Sequence, residues 1–184
     1  MLSSPAITLR LARISDIEEC GTLDAGYITD KAWQLWEERD VLGSEDLSLV
    51  LRTIRLPRTR VVNPPRPTAE LEAEWDSTDL FVVAEVERVV AFICATVRRE
   101  VAHIDRLTVD TSFRRSGVAT HLLSAAYAWA EENGCTTLLA TAPAKNFPVI
   151  SLLHARGYRI CGYNERHLPS GEVALYLCRD VQRD

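Results

Sequence analysis

Residues Arg114 to Thr120 read RRSGVAT and stand directly before a long apolar run, HLLSAAYAWA. The apolar run IDRLTV precedes them, so two guanidinium groups, a glycine and small residues meet at the seam between an expected strand and an expected helix. The first amides of a helix have no partners within it and point back at the connecting turn, which makes such a seam a ready anion site. Gly117 allows close backbone approach, Val118 and Ala119 keep the first turn small, and Arg114 and Arg115 add positive charge. Phosphate is the guest these features suit. A nucleotide-hydrolase loop, GxxxxGK[ST], would need lysine after Gly117, where Val118 stands, and the dinucleotide fingerprint GxGxxG is absent. A plain glycine turn beside two solvated arginines accounts for RRSG alone equally well.

The elements that must position this seam follow from hydrophobic period and turn residues. Residues 7–12 alternate as a first strand, and Ser15-Asp16 precedes a short acidic helix, IEECGTLDA. YITDKAWQLWEERD and LSLVLRTIRLP read as a hairpin joined by VLGSED. PRTRVVNPPRP, with four prolines, reads as a connector, and Thr68 as the cap of a helix, AELEAEW. Three strands follow, LFVVAEVE, VVAFICATVRR and VAHIDRLTV. A helix then runs from Val118 to Asn133 and stops at Gly134, and TTLLATA forms a strand. A second helix runs from Asn146 to Arg156 and stops at Gly157, before the last strands YRICGY and EVALYLCRD. This order predicts one α/β domain on a mixed sheet, with no internal repeat.

Composition narrows the partners. The 184 residues suit a single domain, 47% apolar and 26% charged, with a formal net charge of -5. Residues 1–50 carry ten acids against four bases, 51–67 carry five arginines and no acid, and 101–184 are near balance. Such a chain is a poor nucleic-acid ligand. No apolar run approaches the roughly 18 residues of a membrane span, and no basic-then-apolar leader opens the chain, so the expected location is cytoplasmic, with no membrane partner. The five cysteines, at 20, 94, 135, 161 and 178, lack CxxC or Cys/His metal spacing and read as buried reduced thiols, with no metal expected.

Set between LTVD and HLL, residues 114–119 fit the pattern R/Q-x-x-G-x-G/A, and Asn146 opens a helix that ends in Arg156-Gly157-Tyr158. This resembles the GNAT N-acetyltransferase superfamily over about residues 6–180, most sharply over 101–163. Within it the chain is similar to streptothricin-acetyltransferase-type members, through LDAGYITDKAWQL, KNFPVISLLHARGYRICGYNERHLP and EVALYLCRD. The resemblance implies an acyl-CoA N-acyltransferase fold whose central β-sheet is splayed and flanked by helices. It implies a single domain over 1–184, with residues 101–163 as the acetyl-CoA-binding core and 25–67 as a variable acceptor-side segment. It further implies that the amides from Arg115 to Thr120 (Arg115, Ser116, Gly117, Val118, Ala119 and Thr120) hold the pyrophosphate of acetyl-CoA, with Arg114 also a cofactor-binding residue. Leu107, Thr108 and Val109 would pair with the pantetheine arm, the Val109 amide would face the forming oxyanion, and Asn146 would meet the pantetheine across the splay. Asn146 also reads as a simple helix cap, and both roles are compatible. Members of this fold often pair as homodimers.

Direct acetyl transfer to an amine needs a base, an oxyanion donor and a leaving thiolate. Asp105 shares the side-chain parity of Val109 unless a bulge intervenes, so it is the candidate base; a strand carboxylate paired with an arginine describes it equally well. His103 is the weaker candidate. The superfamily commonly carries a tyrosine seven residues after the Asn146 position, and here that residue is Leu153; His154 points about 100° away and Tyr158 suits the core. For the acceptor, the acids Asp24, Asp30, Glu37 and Glu38 suit a small cationic amine. By analogy Tyr27, Asp30, Tyr163, Asn164 and Glu165 would touch it, with Trp33 and Trp36 more in keeping with core packing. Acetylation of a protein amine, or CoA binding with little turnover, are the alternatives.

Overall fold

A computed structural model describes residues 7–39, 47–64 and 66–182. Its strands are β1 (Thr8–Leu11), β2 (Tyr27–Arg39), β3 (Leu47–Val62), β4 (Leu80–Val86), β5 (Arg88–Arg98), β6 (Val101–Val109), β7 (Thr137–Pro143), β8 (Arg159–Asn164) and β9 (Ala174–Asp180). Its helices are α1 (Ile17–Thr22), α2 (Thr68–Glu74), α3 (Val118–Glu132) and α4 (Phe147–Ala155). The order matches the reading from sequence, with α1 ending earlier, at Thr22. Pro67, rather than Thr68, takes the N-cap position of α2.

Seven strands form one mixed sheet in the order β1-β4-β5-β6-β7-β9-β8, and β2 pairs with β3 in a separate ribbon. Alternation along β5 divides the core between the two faces of the sheet. Ala91, Ile93 and Ala95 pack with Leu122 and Ala126 of α3 and Ile150 of α4. Phe92 and Cys94 pack with Ile17 and Cys20 of α1 and Leu71 of α2. Ile93 is fully buried, and cutting it to Ala would cost about 2–5 kcal/mol.

The ribbon extends past the point where the prolines suggested a connector. β3 continues through Pro57 to Val62, and only residues 63–67 link it to α2. The register jumps from Thr29↔Arg60 to Lys31↔Arg55, so Pro57 falls in the irregularity, where no ladder donor is required. The segment expected to join the hairpin, residues 41–46, lies outside the described residues. A bare two-stranded ribbon is marginal in water. This one is anchored by the Trp33 amide on the Ala144 carbonyl (2.8 Å) and by the Trp33 ring stacked on His154, 5.8 Å between centroids.

The cysteine expectation holds for Cys20, Cys94 and Cys135, which are buried. Cys161 is exposed and Cys178 half-buried, because β8 is the sheet's edge strand and bulges between Ile160 and Gly162. Among the described residues no helix is long and apolar enough to cross a membrane.

Candidate active site

β6 carries the geometry that matters. Its antiparallel register with β5 passes from Cys94↔Arg106 to Ala95↔Ile104, so Asp105 is an extra residue in a bulge. Its parallel pairing with β7 covers only Val101 to Ile104. The bulge and the parting of the two strands therefore fall at the same place.

Beyond it, Leu107 and Val109 pack toward the α3 and α4 face, whereas Arg106 turns to the opposite face and binds Glu70 (2.6 Å) and Glu74 (3.4 Å) of α2. The Asp110 amide donates to the Val90 carbonyl at 2.8 Å. By the two-residue period of an antiparallel ladder, the backbone groups of Leu107 and Val109 then point away from β5, into the gap left by β7. An extended amide-bearing chain could pair there as a strand would.

The gap opens into a cavity of about 480 Å³. Leu107, Thr108 and Val109 line one side, the turn and first helical residues Arg115, Gly117, Val118, Ala119 and Thr120 one end, and Asn146, Pro148, Val149 and Leu152 of α4 the other side. Gly117 sits at φ +89°, a left-handed conformation that favours glycine, and caps α3. The helix's first internal bond runs from the His121 amide to the Gly117 carbonyl, 3.1 Å, so the amides of Val118 to Thr120 have no acceptor within the helix. The Asn146 side chain caps α4 by accepting from the Val149 amide (3.3 Å), and it also lines the cavity.

The structure gathers most, not all, of the residues expected here. Ser116 contributes no hydroxyl, because that group bonds the Phe113 carbonyl. Arg114 lines the cavity, but its guanidinium is turned inward onto the carbonyls of Val109 (3.0 Å), Asp24 (2.6 Å) and Gly26. It is a clamp for the segment before β2, which lines the cavity through Ala25, Gly26 and Tyr27. Arg115 stays exposed at the rim, with φ +62°.

Asp105 departs from its expected parity, since the bulge carries its carboxylate to the face shared with Thr96, whose hydroxyl it accepts at 3.4 Å. Surrounding protein raises its pKa above the ordinary carboxylate value, opposed by the Thr96 hydroxyl and His103. Burial lowers the pKa of His103 in turn. Leu153 is buried in the core at 2% exposure, so α4 turns only apolar side chains and the Asn146 amide into the cavity.

The acceptor-side expectations fare less evenly. Tyr27 lines the cavity, whereas Tyr163, Asn164 and Glu165 belong to β8 and the residue after it, two strands beyond β7. Asp30 lies 3.7 Å from Arg55, and the Asp24 carboxylate accepts from the Thr111 hydroxyl (2.6 Å) and the Gly26 amide (2.8 Å), so it shapes a loop. No carboxylate lines the cavity among the described residues. Trp33 packs on the core as expected, but Trp36 is 48% exposed. Sequence reasoning missed Ala25, Gly26, Phe113, Pro148, Val149 and Leu152 as cavity residues. The helical spacing of 148, 149 and 152 is a signal that could have found that wall, whereas 25 and 26 arrive only through tertiary folding.

The parting of β6 from β7 thus opens, on one cavity, a strand edge beside the unpartnered amides of a helix start, in a mixed α/β fold. A family model described as Acetyltransferase (GNAT) family matches residues 49–158, and the chain belongs to that family. A curated aminoglycoside N(6')-acetyltransferase type 1 from Acinetobacter genomosp. 13 is 30% identical over 82 residues, 40% of this chain; the match spans 56% of that relative's length. Among solved structures, nourseothricin acetyltransferase superposes with TM-score 0.80 at 19% identity, over 96% of this chain and 99% of that one. A Bacillus anthracis str. Ames protein designated a streptothricin acetyltransferase, in complex with acetyl coenzyme A, superposes with TM-score 0.72 at 16% identity, over 96% and 98%. At these identities the two structures speak to the fold.

Proposed function

We propose that this chain transfers acetyl from acetyl-CoA to a primary amine of a small, cationic molecule by direct attack. The observation that carries the reading is the continuity of one cavity from the edge of Leu107–Val109 that β7 leaves without a strand partner to the helix-start amides after Gly117. Those amides and the exposed Arg115 suit a pyrophosphate, the edge suits the amides of pantetheine, and Asn146 is placed to meet the same arm. The Val109 amide faces the gap where a thioester carbonyl would become an oxyanion. Asp105, at the point where β6 leaves β7, serves as base from the opposite face of the sheet. On that face Arg106 holds Glu70 and Glu74, and the charge of Glu74 acts on Asp105. The named activities of the relatives, on aminoglycosides, nourseothricin and streptothricin, support a small-molecule amine.

The test is release of free thiol from acetyl-CoA in the presence of streptothricin, nourseothricin or an aminoglycoside. Amine-dependent thiol release is expected. Binding of acetyl-CoA with no thiol release from any amine would instead support a CoA-binding role, the reading favoured by Leu153 where the family commonly has a tyrosine.

A further inference from the structure

We propose that the hydroxyl of Tyr27 is the proton donor to the sulfur that leaves when an amine takes the acetyl group. The assignment rests on the acetyl-transfer reading and adds a residue to it.

Amine attack leaves two charges to settle. Before attack Asp105 takes one proton from the ammonium; the nitrogen–carbon bond then forms, the carbon–sulfur bond breaks with its electron pair going to sulfur, and a second proton remains on the acylated nitrogen. A neutral hydroxyl between them settles both, because its hydrogen goes to sulfur while its oxygen takes the proton from nitrogen. The net change is one amine hydrogen for one thiol hydrogen, and the hydroxyl ends as it began.

The cavity offers few groups able to do this. Arg114 is committed to three carbonyls, and Arg115 and Thr120 stand at the anion end. Thr108 is paired with Phe92, whose side chain belongs to the α1 and α2 face, so its hydroxyl turns from the gap. Asn146 carries an amide, which is no acid at this pH. Tyr27 remains.

Its position is fixed from both edges of the gap. On the β6 side, the Arg114 guanidinium that holds the Val109 carbonyl also holds that of Gly26, the residue before Tyr27. On the β7 side, the charged neighbours of the phenol are Glu172 and Arg60, 4.0 Å from each other. Glu172 in turn binds Lys145 at 2.7 Å, next to Asn146. The half-buried Tyr27 thus lines the same cavity as the end of β6 and Asn146, and it is the residue after the one that Arg114 ties to Val109. Burial first, then Glu172, raises the phenol's pKa, with Arg60 opposing, so the group is protonated at neutral pH.

Tyr27→Phe keeps the ring and removes the hydroxyl. With whichever amine of the panel above the wild-type chain acetylates, single-turnover transfer is expected to fall about 10²-fold. Acetyl-CoA affinity should be unchanged, and the slowing of the wild-type reaction in D2O should be diminished in the variant. A variant rate within threefold of wild type, or a loss explained by weaker acetyl-CoA binding, overturns the role of Tyr27. Absence of transfer by the wild-type chain to every amine overturns the acetyltransferase reading itself.

Discussion

Arg114 Nε donates to the Val109 carbonyl at 3.0 Å, and the remaining nitrogens of the same guanidinium hold the carbonyls of Asp24 and Gly26. One side chain therefore ties the last residue of β6 to the segment leading into β2, two stretches that no strand pairing connects. The planar fork of arginine can serve three carbonyls at once, which the single ammonium of lysine does poorly.

Arg114→Lys should accordingly loosen one wall of the cavity while keeping the charge. Hydrogen bonds from a charged donor contribute about 1.5–3 kcal/mol, and partial exposure here argues for a total near the lower figure. Thermal unfolding should show a midpoint lowered by about 3–6 °C. Acetyl-CoA should bind more weakly. An unchanged midpoint would refute the clamp.

Gly117→Val tests the other end. A Cβ there would find nothing closer than His121 Cε1 at 4.0 Å, so crowding is not the difficulty; the φ of +89° is. A β-branched residue held there costs about 1–3 kcal/mol, and relaxing it turns the helix-start amides. The wild-type chain at 100-fold excess of acetyl-CoA over its Kd should gain about 2.7 kcal/mol. The variant should gain almost nothing, and equal thermal stabilisation of the two would sink the pyrophosphate site.

These two residues also mark what sequence could and could not convey. Gly117 was legible because its neighbours, an alternating run before it and a 3.6-residue period after it, leave room for only one kind of turn. Arg114 was legible as charge, yet its use as a clamp depends on carbonyls nearly ninety residues away. Asp105 was misread for a local reason: a single inserted residue reverses the parity of everything after it, and no residue type in IDRLTV announces the insertion. Pro57 misled because proline forbids a paired interior strand, and it sits where the ribbon is unpaired.

Acid stability should hinge on Asp16. It is buried, accepts from Arg10 at 2.6 and 3.0 Å and from the Arg13 amide at 2.7 Å, and its pKa is lowered chiefly by Arg10. A carboxylate whose folded pKa lies below its unfolded value stabilises the fold above the unfolded value of about 3.9. That contribution is lost as pH falls through the folded value. Asp16→Asn should lower stability at pH 7 by about 2 kcal/mol, measured by urea unfolding. The gap from wild type should narrow below about pH 4; a gap that holds constant with pH would contradict the assignment.

Asp105 presents the opposite sign. Surrounding protein raises its pKa, so the ionised form is less favoured in the folded chain than in the unfolded one. Wherever the unfolded chain ionises it, that is above about pH 4, the residue costs stability. Asp105→Asn should therefore leave unfolding at pH 7 unchanged or slightly shifted to higher urea, with no such gain below pH 4. The same change should slow acetyl transfer by about 10²–10⁴, the range of a lost general base. It should also remove the fall in kcat/KM that wild type shows as pH drops through the raised carboxylate pKa. A folded variant within threefold of the wild-type rate would take the base away from Asp105. A water reached from the α2 face, where Arg106 holds Glu70 and Glu74, would then have to receive the ammonium's first proton.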